Sequence, residues 1–507
     1  MAEVQMAEST REEESCKELK LVSELDGHSD RAWSLAWNPT MPILASCSSD
    51  RDVRLFNYNI PKKSANDTSQ IEQEEPKFFL KEVIPTGHRR TVRSIAWSPS
   101  GKTLATASFD STVGIWERVA DVMMAVKSSG GNGNGNDDED DDQENGFGAG
   151  GEGAEWDCIG TLEGHDSECK AVAFSHTGAV LASCSRDKSV WVWEVQAEAE
   201  FDCLSVLMEH SQDVKTVAWH PKEEILASAS YDDTIKLYVD DPSEEWFNYT
   251  TLTGHTSTIW SLSFSPCGNY LASASEDVTV RIWRRLTPEQ AERKGLKVLG
   301  KIDGIRKGDR WICVRVLKGW HTRSIYSVSW GAGGGGEGGE DDDDDDVEIR
   351  DNPSFSSSSS PSSTSLGKIA TAGADGSICI FQVSSNQTRK RPTAITQTDE
   401  DTTMPPPPEE EEENLAPNVE LIARQYQAHG DADINCVSWA PTKLNKSPDQ
   451  ALQESAMRFR EIDDDEAEEL QRKQQQGSGR AEKRNLFPLG NLLASAADDG
   501  SVKVWIL

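Results

Sequence analysis

His88, Ser94 and Asp110 are the three residue types that make a hydroxyl nucleophilic: the aspartate orients an imidazole, and the imidazole takes the hydroxyl proton. The same set recurs in four of seven copies of one unit, while Ala171, Thr216 and Cys436 stand at the serine position in the others. A hydrolase needs one activated nucleophile, so near-copies along the whole chain argue for another use. Repetition suits a buried network of Asp, His, Ser or Thr and Trp that ties strands together, because buried polar groups are tolerated when every member is paired. There is no Gly-x-x-x-x-Gly-Lys-Ser/Thr phosphate loop and no His-Glu-x-x-His zinc helix, and the Asp runs lack the spacing of a calcium loop. The sequence therefore assigns no catalytic, cofactor or metal residues.

The elements that position this set are repeats. His28, His88, His165, His210, His255, His321 and His429 match Asp50, Asp110, Asp187, Asp232, Asp277, Asp375 and Asp499. The separation is 22 residues in the first five pairs, then 54 and 70. Six residues after each Asp comes Phe56, Trp116, Trp193, Tyr238, Trp283, Phe381 or Trp505. Short alternating apolar runs such as "RSIAW", "TLATAS" and "STVGIW" predict four strands, a to d, per unit. Four strands in about 40–45 residues is the pattern of a WD-repeat β-propeller, and seven copies predict an all-β, seven-bladed ring. The chain stops after strand c of the last unit, so the N-terminal stretch "CKELKLVSEL" is expected to supply the missing strand d and close the ring.

Residues 1–16 and low-complexity inserts at 58–77, 117–155, 284–310, 331–366, 382–418 and 441–488 interrupt a single domain over 17–507. Most of this sequence is too polar to offset its ordering entropy and is expected to be disordered, with a short helix around 449–473. The inserts at 117–155, 331–366 and 382–418 hold 23 of the 36 excess negative charges, so the folded body is nearer neutral than the chain. That balance argues against free nucleic acid as a partner. No window approaches 18 consecutive apolar residues, no secretory signal is visible, and ten irregularly spaced cysteines predict reduced, buried thiols. Together these predict a cytoplasmic or nuclear protein with no membrane segment.

Every insert falls in a c–d or a–b loop, which emerge on one face of a propeller; the other face is kept clear and is expected to be the docking surface. Residues five after each Gly-His histidine start strand a there: Trp33, Arg93, Lys170, Lys215, Trp260 and Tyr326. Phe109, Arg186 and Tyr231 precede the turn aspartates, and Arg31 lies beside Trp33. Arginine and aromatic residues are common interface anchors, and arginine among aromatics suits a carboxylate.

The text of the repeats is more specific than the repeat itself. "SFDSTVGIW" (108–116), "LASCSRDKSVWVWE" (181–194), "EHSQDVKTVAWHP" (209–221), "SASYDDTIKLY" (228–238) and "GADGSICIF" (373–381) resemble the WD-repeat subunit of the cytosolic iron–sulfur protein assembly machinery. The resemblance covers all seven units but not the long acidic inserts. It implies a non-catalytic scaffold that holds no cluster and docks apoprotein clients. It also implies three assembly partners: a small acidic adaptor, a helical-repeat subunit and a hydrogenase-like cluster carrier. Arg186, in "SRDK", matches a position associated with function in that family. Two other classes fit a propeller with acidic tracts: a histone-binding chromatin protein and a substrate receptor of a ubiquitin ligase.

Overall fold

The computed structural model describes residues 16–59, 75–118, 156–196, 201–240, 246–293, 295, 309–332, 365–385, 416–444 and 489–507. They form seven four-stranded antiparallel sheets. Six sheets run in chain order from strand a to strand d. The seventh consists of Ile434–Trp439, Leu492–Ala497 and Val502–Ile506, completed by the N-terminal strand Lys20–Leu25. Lys20 pairs with Ile506 and Leu25 with Val502. One residue pair also ties this segment to blade six: Lys17 donates to the Ile422 carbonyl at 3.2 Å and accepts from Arg424 N–H at 3.1 Å. The expected ring closure is present.

Strand b explains how seven sheets share one axis. In blades one, three, four, five and seven it reads ILASCS, VLASCS, ILASAS, YLASAS and LLASAA, and every residue of these strands is buried. A strand covered on both faces loses the usual alternation. Small Ala and Ser residues let neighbouring blades approach closely near the axis. Each hydrophobic cluster spans adjacent blades; one joins Leu25, Trp37, Tyr58, Leu492 and Val504 across blades seven and one.

The repeated polar residues sit inside this packing. Each His Nδ1 lies 2.8–3.2 Å from its Asp. Each Nε2 lies 2.7–2.9 Å from a hydroxyl of Ser46, Thr106, Ser183, Ser228, Ser273, Thr371 or Ser495. In blades two, three, five and seven the Trp indole N–H donates to the same hydroxyl at 2.8–3.0 Å. The chain of donors is then fixed: Trp N–H to hydroxyl, hydroxyl O–H to Nε2, Nδ1–H to carboxylate. This corrects the sequence assignment of Ser94. The hydroxyl comes from strand b, 18 residues after the histidine in the first five blades, whereas Ser94 accepts the Val172 N–H of the next blade at 3.4 Å.

The donor order equals that of a serine nucleophile, but Ser183 is wholly buried beneath Trp193, so no substrate carbonyl can reach it. What the network does is staple the d–a loop to strands b and c. The Asp also accepts the backbone N–H of the residue after the histidine, as Asp187 does from Asp166 at 3.0 Å. The residue after each Asp has positive φ, from Arg51 at 75° to Gly500 at 78°. Asp187→Ala is expected to cost about 3 kcal/mol, because it strands the buried His165 N–H without an acceptor. Urea unfolding measures this; a loss below about 0.5 kcal/mol would show the staple to be dispensable.

Strands run further into several inserts than the sequence suggested. Strand c of blade five continues to Leu286, and a short helix, Pro288–Arg293, follows. Its start is a capping box: Gln290 N–H donates to Thr287 Oγ1 at 3.4 Å, and Thr287 N–H donates to Gln290 Oε1 at 3.1 Å. Proline at the first helical position reinforces it. The helix expected near 449–473 lies outside the described residues, as do residues 1–15 and the centres of the other long inserts. The expectation of uniformly buried thiols is also corrected. All ten cysteines are free, but Cys158 and Cys203 are exposed, because the outermost strand d of a blade has one solvent face.

Candidate docking face

Strand a is innermost, and in all seven blades its pairing with strand b slips by one residue at the same place. The skipped residues are Trp33, Arg93, Lys170, Lys215, Trp260, Tyr326 and Asn435. A bulge of this kind leaves one residue unpaired and re-aims its side chain. Repeated around the ring, it sets seven side chains at one end of the central opening. With Arg31, Phe109, Asp433 and Asp498 from the neighbouring loops and turns, they line a cavity of about 280 Å³.

Eight of the ten residues singled out in the sequence meet there: Arg31, Trp33, Arg93, Phe109, Lys170, Lys215, Trp260 and Tyr326. Arg186 and Tyr231 flank the mouth without lining it. Tyr231 is 50% exposed, 5.3 Å from the Lys215 ammonium. Two mouth residues, Asp433 and Asn435, escaped the sequence reading. Blade seven has one extra residue between His429 and strand a, so Asn435 falls six positions after the histidine. Aligning on the strand, Ile434-Asn435-Cys436 against Val92-Arg93-Ser94, would have found Asn435 and, just before it, Asp433.

The mouth is electrically two-sided. On blades two to four, Arg90, Arg93, Lys170, Arg186 and Lys215 face two carboxylates. Glu168 holds Lys170 at 2.7 Å, Arg90 at 2.9 Å and Arg186 at 3.8 Å, while Asp213 holds Lys215 at 3.3 Å. Burial works against the Glu168 charge, but Lys170 and Arg90 hold its carboxyl below the ordinary value. Arg93 stacks on Trp33 at 4.6 Å, and Lys170 sits 4.0 Å over Phe109. Among the described residues no carboxylate lies within ion-pair distance of Arg93. On the opposite side Asp498 takes Arg31 at 3.5 Å and the Asn435 amide at 2.8 Å, and Asp433 takes Arg323 at 3.5 Å. Such a surface offers cations and ring faces to an acidic, aromatic partner on blades two to four, and there it repels a basic one. Among the described residues no cluster of three or more His, Cys, Asp or Glu could hold a metal ion, and no helix is long and apolar enough to cross a membrane.

The family described as "WD domain, G-beta repeat" matches residues 19–57, 80–117, 156–194, 201–238, 246–284 and 485–505. A protein of Mycosarcoma maydis named "Probable cytosolic iron-sulfur protein assembly protein 1" is 54% identical over 490 residues, 96% of this chain and 93% of its own length. The chain belongs to this WD-repeat family of cytosolic iron–sulfur protein assembly proteins. A relative of the same name from Malassezia globosa is 53% identical over 377 residues, 74% of this chain and 90% of its own. A more distant one from Schizosaccharomyces japonicus, named "Probable cytosolic Fe-S cluster assembly factor", is 37% identical over 177 residues, 35% of this chain and 21% of its own. The family resemblance carried by the repeat text in blades two to four and six is therefore borne out, and so is the propeller fold.

Proposed function

We propose that this protein is a non-catalytic scaffold in the maturation of cytosolic and nuclear iron–sulfur proteins, which docks apoprotein clients and assembly factors on its clear face. The near full-length similarity to the Mycosarcoma maydis assembly protein carries this reading. The geometry supports it in two ways. The only residues arranged like a catalytic set among those described are consumed in holding the blades together. The mouth, by contrast, gathers the residue types that anchor protein interfaces.

The partners proposed for this face are a small acidic adaptor, a helical-repeat subunit, a hydrogenase-like cluster carrier and the clients themselves. The excess of cations on blades two to four suits the acidic adaptor. The proposed location is cytoplasmic and nuclear. Depleting the protein should lower the activity of a cytosolic iron–sulfur enzyme while leaving its polypeptide present; undiminished activity would refute the reading.

Arg186 is the single residue on which this surface can be tested cleanly. Its side chain is 59% exposed, and it shares Glu168 with two better-placed cations, so little of the fold depends on it. Arg186→Glu is expected to weaken capture of assembly partners about tenfold or more, equivalent to one charge-assisted contact turned repulsive, with thermal unfolding unchanged. Lost solubility would mark Arg186 as structural, and unchanged capture would remove it from the interface.

A further inference from the structure

Four residues after the turn aspartate, strand c carries a side chain that can lie back over the loop before the histidine. Arg54 takes the space above Gly27 in blade one, Arg281 the space above Gly254 in blade five, and Trp191 the space above Gly164 in blade three. In blade two the equivalent residue is Gly114, and nothing lies within 4 Å of where a Cβ on Gly87 would sit. A crevice of about 490 Å³ opens there on the clear face, bordered by His88, Thr112, Gly114, Trp116 and Cys158.

Blade three shows what fits such a space. The Trp191 ring stacks on Trp193 with centroids 5.2 Å apart and planes 24° apart, leans on His165 at 5.2 Å, and donates its indole N–H to Ser189 Oγ at 2.9 Å. Blade two keeps the surroundings and lacks the insert. Trp116 replaces Trp193, His88 replaces His165, and Thr112 replaces Ser189. Thr112 Oγ1 donates to Asp110 Oδ1 at 2.7 Å, as Ser189 does to Asp187, and each oxygen also lies 3.2–3.3 Å from the histidine Nδ1, which leaves one lone pair to accept an indole N–H. Both hydroxyls are thus poised the same way, one occupied and one vacant of an indole donor.

We propose that the Gly114 crevice of blade two is a binding site for an indole-type aromatic side chain, inserted by a protein docked on the clear face. It rests on the docking reading only for the source of that side chain; the crevice itself can be probed without a partner. Stacking between Trp116 and His88 supplies the affinity, and the Thr112 oxygen selects an N–H donor over a plain hydrocarbon ring. Cys158, paired across from Trp116, borders the crevice, and Cys203 holds the same place in blade three, where Trp191 already fills the space. The two exposed thiols therefore make a reporter and its internal control.

The probe is N-acetyl-tryptophanamide added to the full chain. At ten times its Kd it should slow alkylation of Cys158 about tenfold while leaving Cys203 unchanged, as read by peptide mass spectrometry. Equal effects on both thiols, or none on either, would overturn the proposal. The second arm fills the crevice from inside. A Cβ on Gly114 would lie 2.8 Å from Thr106 Oγ1 and 2.9 Å from Trp116 Nε1, so both groups must shift, and Gly114→Trp is paired with Thr106→Ser to give blade two the same side chains as the Ser183 and Trp191 of blade three. This double variant should bind the probe at least about tenfold more weakly. Binding equal to wild type in the folded double variant would place the probe elsewhere and sink the assignment. The thiol measurement on wild type decides the matter if the variant does not fold.

Discussion

Deleting residues 17–25 is expected to abolish cooperative folding of the ring, not to fray one blade. Strand d of blade seven is lost with them, leaving Val502–Ile506 as an unpaired edge. Leu25 is buried in the cluster that joins blades seven and one, and Leu19 in the cluster that joins six and seven. At about 1.5–3 kcal/mol for each buried leucine, these two alone approach the lower end of the 5–15 kcal/mol that holds a typical domain folded. The Lys17 bridge to Ile422 and Arg424 and the ladder to strand c add to that loss. A propeller has no redundancy here, because the N-terminal segment is what prevents the ring from opening. The measurement is a far-UV circular dichroism melt with limited proteolysis at 25 °C. A melting temperature equal to that of the full chain would show that closure lies elsewhere.

How far the sequence disclosed all this depended on whether a feature is held by spacing or by contact. The His and Asp positions were legible because both sit on a loop and a turn whose length is constant in five repeats. The hydroxyl was not. Thr106 and Ser183 lie in strands that read as uniformly small and buried, so they resemble packing residues, while Ser94 stands visibly at a fixed distance from His88. Only the strand pairing shows that Ser94 serves the neighbouring blade. The mouth was legible in outline because a bulge at one register recurs in each blade, and it failed at Asn435, where one extra residue shifts the count. Gly114 could be seen as the odd member of Arg54, Gly114, Trp191, Lys236, Arg281, Cys379 and Lys503. That its missing side chain leaves a hole, and that the hole has a filled twin, exists only in three dimensions.

The staple in every blade makes the molecule sensitive to acid, with a predictable sign. In Asp50, Asp110, Asp187, Asp232 and Asp277 partial burial works against ionisation, but the hydrogen bond from the histidine, together with those from backbone N–H groups and, in all but Asp50, a neighbouring hydroxyl, holds each carboxyl well below the usual range. Asp375 and Asp499 shift in the same direction. A group depressed in the folded state binds more protons when unfolded, so its stabilisation is complete only about one unit or more above the unfolded value near 3.9 and is lost progressively as pH falls through that value toward the folded one. Seven copies act together, so stability should decline steeply from about pH 5 downward. Urea unfolding between pH 7 and pH 4 measures the slope. Asp187→Asn should be less stable at pH 7 yet show a shallower pH dependence, because one of the titrating groups is gone. Stability that stays level to pH 4, or an Asn variant with the full wild-type slope, would show that the repeated carboxylates are not what acid attacks.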